Sequence, residues 1–415
     1  MEVKEPTAKY LDRPTYKKTE VGAIPEDWTI RELGDVVVFF DGRRRPVRDS
    51  DRAKMRGSIP YYGASGIIDY VNDYLFDEDL ILLGEDGENI VSRNCRLAFR
   101  ISGKAWVNNH AHVLKPNRDV SIGFLTEYLE SLNYERFNSG TAQPKLNKQT
   151  CFRIQVALPP TKVEQDAIAE ALNDADRVIE SLQQLLTKKR QIKQGAMQEL
   201  LTGKKRLPEF SGEWATSALK RFVRQFIVPM RDKPKKLNGD IPWCRIEDFD
   251  GVYLAGSKSG QHVDVETIRT MNLKVYPVGT LLVSCSADLG RCTIVARPLV
   301  SNQTFIGLEM DDAVSSNLFF YYLMTSKAEE LNNLSSGTTI SYLSREQFEE
   351  FQVHVPFDKQ EQTAIATILA DMDAELSELE AKISKVRQLK LAMTQELLSG
   401  RVRLMAPEPV DASER

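Results

Sequence analysis

Residues 158–207 and 355–404 are two copies of one segment, aligned without a gap at an offset of 197. Glu164-Gln165 falls on Glu361-Gln362, and Asp176 on Asp373. Gln198-Glu199-Leu200-Leu201 falls on Gln395-Glu396-Leu397-Leu398, and Gly203 on Gly400. A repeat on this scale fixes the architecture before any local reading can. The chain is two similar halves, each ending in the same long segment.

That segment reads as a helix. Apolar residues fall at Ile168, Leu172, Ile179, Leu182 and Leu186 in the first copy. They fall at Ile365, Leu369, Leu376, Leu379 and Ile383 in the second. With Ala175 and Met372 filling the one wider gap in each copy, the steps are three and four residues, a heptad seam that needs a partner helix. Lys193 and Lys390 share one seam slot, where a polar residue tends to set register. Thr161 and Asp358 stand as N-caps, with Glu164 and Glu361 three residues on completing a capping-box pattern. Gly203 and Gly400 stand where a glycine ends a helix. About 40 residues at 1.5 Å each make a rod of roughly 60 Å. The partner at hand is the other copy. The intervening domain is long enough to allow parallel or antiparallel pairing. A pseudo-two-fold relation between the halves favours antiparallel, and pairing between two chains is the alternative.

The repeat continues upstream. Gly140-Thr141 aligns with Gly337-Thr338, Leu146 with Leu343, and Trp28 with Trp214. Ile59-Pro60-Tyr61 resembles Ile241-Pro242-Trp243, and Val107-Asn108-Asn109-His110 resembles Val300-Ser301-Asn302-Gln303. Short apolar runs such as residues 80–83 and 281–283, set between Gly, Asn and Asp turns, read as strands. The expected fold class is α+β. It has two α/β domains, residues 1–157 and 206–354, separated by helices at 158–205 and 355–405 that pack as a coiled coil. A flexible tail follows at 406–415.

The charged N-terminus has no apolar signal region, and no stretch approaches the roughly 20 apolar residues of a membrane span. Five scattered cysteines read as reduced thiols, so the expected compartment is the cytoplasm. The net charge of −4 does not suggest a nucleic-acid binder. Locally the picture reverses. Residues 42–57 carry seven basic residues against two acids, and residues 92–118 carry six basic residues and no acid. Such segregation suggests a basic face.

The sequence resembles the specificity subunit of type I restriction–modification systems. The carriers are Gly22-Ala23-Ile24-Pro25-Glu26-Asp27-Trp28, the Glu-Gln-x-x-Ile-Ala helix starts, the matched helix exits, and residues 206–214 ending in Ser211-Gly212-Glu213-Trp214. The resemblance covers nearly the whole chain. It implies two target recognition domains, an antiparallel two-helix spacer and a bipartite double-stranded DNA target. It implies a non-catalytic subunit on which two methyltransferase subunits dock and which two restriction motor subunits can join. S-adenosylmethionine, ATP and Mg would then belong to those partners, with no cofactor or metal in this chain.

The residues agree with that reading. There is no glycine-rich cofactor cradle and no phosphate loop. Thr141, Gln143, Lys145, Asn147 and Lys148 in the first Gly-Thr loop, and Thr338, Thr339, Tyr342 and Arg345 in the second, are candidate DNA contacts. Arg43, Arg44, Arg45 and Arg48 suit phosphate or guanine, with Lys233, Lys235 and Lys236 in the comparable loop. Asn108, Asn109 and His110, with Asn302, Gln303 and Thr304, supply groups that suit adenine edges. The competing reading is a coiled-coil adaptor that spaces two protein-binding domains without DNA.

Overall fold

The computed structural model describes residues 15–140, 143–229, 233–286, 288–334 and 342–404. The chain forms two compact units, residues 1–182 with 382–415, and residues 183–381. The division cuts through both long helices, so the units do not end at the boundaries expected from sequence. The cause is packing. Ile168, Leu172, Leu397 and Leu398 lie in the main core of the first unit. Leu200, Leu201, Ile365 and Leu369 lie in that of the second. At each end the helical seam is also domain core.

In the first unit, a central antiparallel sheet runs in the order Val37–Phe39, Ala111–Pro116, Leu80–Gly84, Ala98–Ile101. A second sheet has Gly66–Val71, Arg56–Gly63, Lys104–Val107 and Phe76–Asp77, with Lys104–Val107 parallel to Arg56–Gly63. Strand Leu80–Gly84 is buried throughout because both faces are covered. Ile81 and Leu83 face helix Ile122–Ser131, while Leu80 and Leu82 face the second sheet through Phe76 and Val107. This explains its unbroken apolar run.

The second unit repeats the plan. Its larger sheet is ordered Val223–Ile227, Phe305–Met310, Leu281–Ser284, Cys292–Val295, Tyr253–Leu254. The smaller is His262–Val263, Ile241–Cys244, Leu299–Ser301, Val275–Tyr276, again with one parallel pair. In each unit a strand near the start pairs with the strand leading into the long helix: Thr29–Glu32 with Gln155–Leu158, and Trp214–Ala218 with Gln352–Pro356.

The long helices are Lys162–Leu200 and Lys359–Leu398. Within the first unit, Asp176 from the early half of one accepts from Lys390 in the late half of the other at 2.5 Å. Within the second unit, Lys193 pairs with Asp373. Both contacts make the pairing antiparallel. Of the seam residues, Ile168, Leu172, Ile365, Leu369 and Ile383 are buried, while Ile179, Leu182, Leu186, Leu376 and Leu379 are partly covered. The shared lysine slot thus holds reciprocal ion pairs. Each reaches into its domain, through Glu127 beside Lys390 and through the Tyr322 hydroxyl, which donates to Asp373 at 2.8 Å.

The capping boxes form only in part. Thr161 accepts from the Glu164 N–H at 3.3 Å, and Asp358 accepts from the Gln360 N–H at 2.8 Å. The glutamates turn elsewhere. Glu361, fully buried, takes two bonds from Arg206 at 2.7 and 2.8 Å and one from the Trp214 indole at 3.1 Å. Glu164 takes the equivalent Arg403. An arginine past the helix exit is a stronger partner for a buried carboxylate than a backbone N–H. The neighbouring glutamines also act alike. Gln165 accepts from Ser121 N and Gln362 from Ser316 N, both at 2.8 Å. Gly203 and Gly400 each have φ +70°, and a Cβ on Gly400 would lie 2.5 Å from Pro25, so the exits require glycine.

Candidate nucleic-acid interface

Three loops meet at one edge of the central sheet in the first unit. The Glu85 N–H donates to the His110 carbonyl at 2.8 Å, and the Leu146 N–H donates to the Glu85 carbonyl at 2.7 Å. Asp86 and Lys145 form an antiparallel bridge. The frame recurs in the second unit. Cys285 N donates to Thr304 O at 2.8 Å, Leu343 N donates to Cys285 O at 2.8 Å, and Ser286 bridges Tyr342. The register follows from these bonds. Asn108 N donates to Tyr62 O, and Asn302 N to Cys244 O. Asn108 therefore matches Asn302, one residue beyond the Ser301 that sequence comparison assigned to it. Each asparagine carboxamide oxygen accepts from the residue two positions on, His110 N at 2.8 Å and Thr304 Oγ1 at 2.6 Å.

On this shared frame the side chains differ. In the first unit Arg44 donates to Glu85 at 2.6 Å and to the Ala111 carbonyl at 2.8 Å. Lys145 approaches Glu85 at 3.3 Å, and His110 Nδ1 lies 2.9 Å from Asp86. Behind them His112 is buried between Asp41, at 2.7 Å, and the Leu146 carbonyl, at 2.9 Å. Burial works to lower the His112 pKa and is the largest single influence, but the hydrogen bonds and charge interactions of Asp41 and Cys151 together outweigh it and raise the imidazole to about 10. Burial likewise works to raise the Asp41 carboxyl, yet the bonds from His112 and Val113 N hold it below the ordinary carboxylate range. In the second unit the corresponding positions are Cys285, Ser286 and Ile306. Burial pushes the Cys285 thiol up to about 11, so it stays neutral.

The candidates thus divide. Arg44, Asn108, Asn109, His110 and Lys145 converge in the first unit, and Asn302, Gln303, Thr304 and Tyr342 in the second. Gln143 is exposed in the first Gly-Thr loop. Thr141, Thr338 and Thr339 lie outside the described residues, as does the expected tail at 406–415. Asn147 instead caps helix Lys148–Phe152, accepting from Thr150 N at 2.8 Å, and Lys148 stacks on Phe39. Arg345 pairs with Glu349 at 2.5 Å. Arg43 is drawn to Glu78 and over the Phe76 ring. Arg45 and Arg48 are exposed, without a carboxylate partner among the described residues. Lys233, Lys235 and Lys236 line a cleft of about 560 Å³ with Asp264, Glu266 and Thr267. Lys233 sits over Trp243 as Arg52 sits over Tyr61, the matching ring of the first unit.

The basic face expected from charge runs is largely neutralised in space. Arg52 binds Asp69 at 2.9 Å, Arg93 pairs with Glu130 at 2.9 Å, Arg100 with Asp79 at 3.0 Å, and Lys115 with Glu78 at 2.5 Å. Arg96 reaches Glu127 and Asp176. Charges segregated along the chain were brought together by folding. The acids Glu85 and Asp86 were not among the sequence candidates, although they directly follow the buried strand. Among the described residues, no group of three or more His, Cys, Asp or Glu is placed to hold a metal ion. No described helix is long and apolar enough to cross a membrane.

Residues 25–193 and 227–387 match the type I restriction modification DNA specificity domain. A Haemophilus influenzae type I restriction enzyme specificity subunit is 25% identical over 352 residues, covering 82% of this chain and 86% of its own length. The MjaX specificity subunit of Methanocaldococcus jannaschii is 22% identical over 95% of this chain and 98% of its own. The crystal structure of an M. genitalium type I S subunit shares the fold, with a TM-score of 0.59 at 16% identity, over 93% of this chain and 99% of that one. A chain from a study of complex assembly in the type I R-M system gives a TM-score of 0.55 at 14% identity, over 91% and 99%. With the specificity domain matched twice over most of its length, on a duplicated fold, this chain belongs to the type I restriction–modification specificity subunits.

Proposed function

We propose that the chain directs a type I restriction–modification complex to a bipartite double-stranded DNA target, one half-site per recognition domain, with the gap set by the helix pair. The observation that carries this is the doubled loop frame. One backbone arrangement occurs twice and presents Glu85, Asp86 and His110 in one unit, and Cys285, Ser286 and Thr304 in the other. Two readers with a common frame and different side chains suit two different half-sites, since base edges are told apart by side-chain donors and acceptors. The chain itself is not catalytic. Two methyltransferase subunits dock on it, and two restriction motor subunits can join them. S-adenosylmethionine, ATP and Mg serve in those partners, and the product is N6-methyladenine in the target.

The test is co-expression with the methyltransferase subunit of its system, followed by mapping of methylated bases. The reading requires a split motif with a fixed gap, and DNA affinity that falls steeply with salt. No salt-sensitive DNA binding and no split motif would instead leave an adaptor without DNA.

A further inference from the structure

Asp86 stands out among the groups at the loop edge. Its backbone is fixed by the bridge to Lys145, by the Gly87 N–H donating to the Pro144 carbonyl at 3.1 Å, and by the adjoining Glu85 bonds. Both carboxylate oxygens face one half-exposed partner, His110 Nδ1, at 2.9 and 3.0 Å. Two oxygens carry about four acceptor sites, so most of its capacity is unspent. Glu85 beside it is engaged by Arg44 and Lys145. A carboxylate on a DNA-facing edge repels phosphate, which makes its presence there informative.

Resting on the DNA-recognition reading above, we infer that Asp86 is a specificity-determining residue of the first domain, accepting from the exocyclic amine of a cytosine in the major groove. The chemistry selects that base. In the major groove only cytosine N4 and adenine N6 donate, and adenine sets the N7 acceptor beside its amine, which repels a carboxylate. Guanine and thymine offer it only acceptors. His110 is the positioning residue: its Nδ1 hydrogen-bonds the carboxylate and holds it at the edge before DNA arrives. On the second domain's frame the same place carries Ser286, whose hydroxyl both donates and accepts. That domain has no acceptor-only group at this place.

The experiment uses the full chain, co-expressed with its methyltransferase subunit, on a plasmid library carrying randomised half-sites. Methylated bases are read by long-read sequencing. The wild type requires cytosine at one position of one half-site. Asp86→Asn lowers that preference about tenfold or more and leaves the other half-site unchanged. Asp86→Ser, which installs the second domain's side chain, gives the same positional loss, and His110→Gln keeps the preference with weaker overall methylation. Unchanged preference in both Asp86 variants overturns the inference. So does a uniform loss in all three variants with no change at any position, which would make the pair a structural clasp. A wild type with no split motif fails the DNA-recognition reading itself, and this inference with it.

Discussion

At the helix ends, the two units use the same residues for the same work. Glu361 with Arg206 repeats Glu164 with Arg403, Lys193 with Asp373 repeats Lys390 with Asp176, and Gln362 on Ser316 repeats Gln165 on Ser121. At the loop edge the backbone repeats and the chemistry does not. Glu85, Asp86 and His112 give way to Cys285, Ser286 and Ile306 on the same hydrogen-bonded frame. The difference separates two tasks. The helix ends repeat one set of contacts in both units, and the loop edges keep the backbone while the side chains differ.

The comparison breaks first if matched core positions prove unequal. Leu172 and Leu369 are both fully buried at equivalent places. Leu172→Ala and Leu369→Ala should each cost about 4 kcal/mol, measured by chemical denaturation of the full chain. A cost in one unit without the other would refute equivalence. Next come the buried glutamates. Glu361→Ala strands Arg206 and the Trp214 indole and should cost about 3 kcal/mol, with Glu164→Ala similar.

A third effect should appear in one unit only. The raised His112 pKa means the folded state holds a proton that the unfolded chain releases near pH 6.5. That stability is full below pH 6.5 and is lost as pH rises toward about 10. The first unit should lose roughly 2 to 3 kcal/mol between pH 7 and pH 9, read as hydrogen exchange in its core strands. The second, with Ile306 at that position, should not show this loss. The smallest effect sharpens the comparison. Lys193→Met and Lys390→Met should each cost about 1 kcal/mol, because these half-buried lysines retain some solvent. A double-mutant cycle of Lys390→Met with Asp176→Asn measures the coupling.

The helices were legible because a 3.5-residue period and an ungapped offset survive in one dimension. The glycine exits at Gly203 and Gly400 follow from local rules, whereas the antiparallel pairing was favoured only by the pseudo-two-fold relation of the halves and is fixed by the contacts of Lys390 with Asp176 and Lys193 with Asp373. What was not legible depends on partners far along the chain. Glu361 has a capping-box position yet binds Arg206, 155 residues away. Arg44 looked like a phosphate ligand yet lies against Glu85, 41 residues along the chain. The alignment of Asn108 with Ser301 slipped by one because loop lengths differ, and only the bonds to Tyr62 and Cys244 correct it. Asp86 and Ser286 lie far along the chain from Lys145 and Tyr342, the loop residues that bridge to them.

The central claim is that loop edges read and helices measure. Its most direct test inserts one heptad into each long helix, after Leu182 and after Leu379, and maps the methylated motif of the assembled complex. The account predicts unchanged half-sites with a longer gap between them. Altered half-sites with an unchanged gap would contradict it.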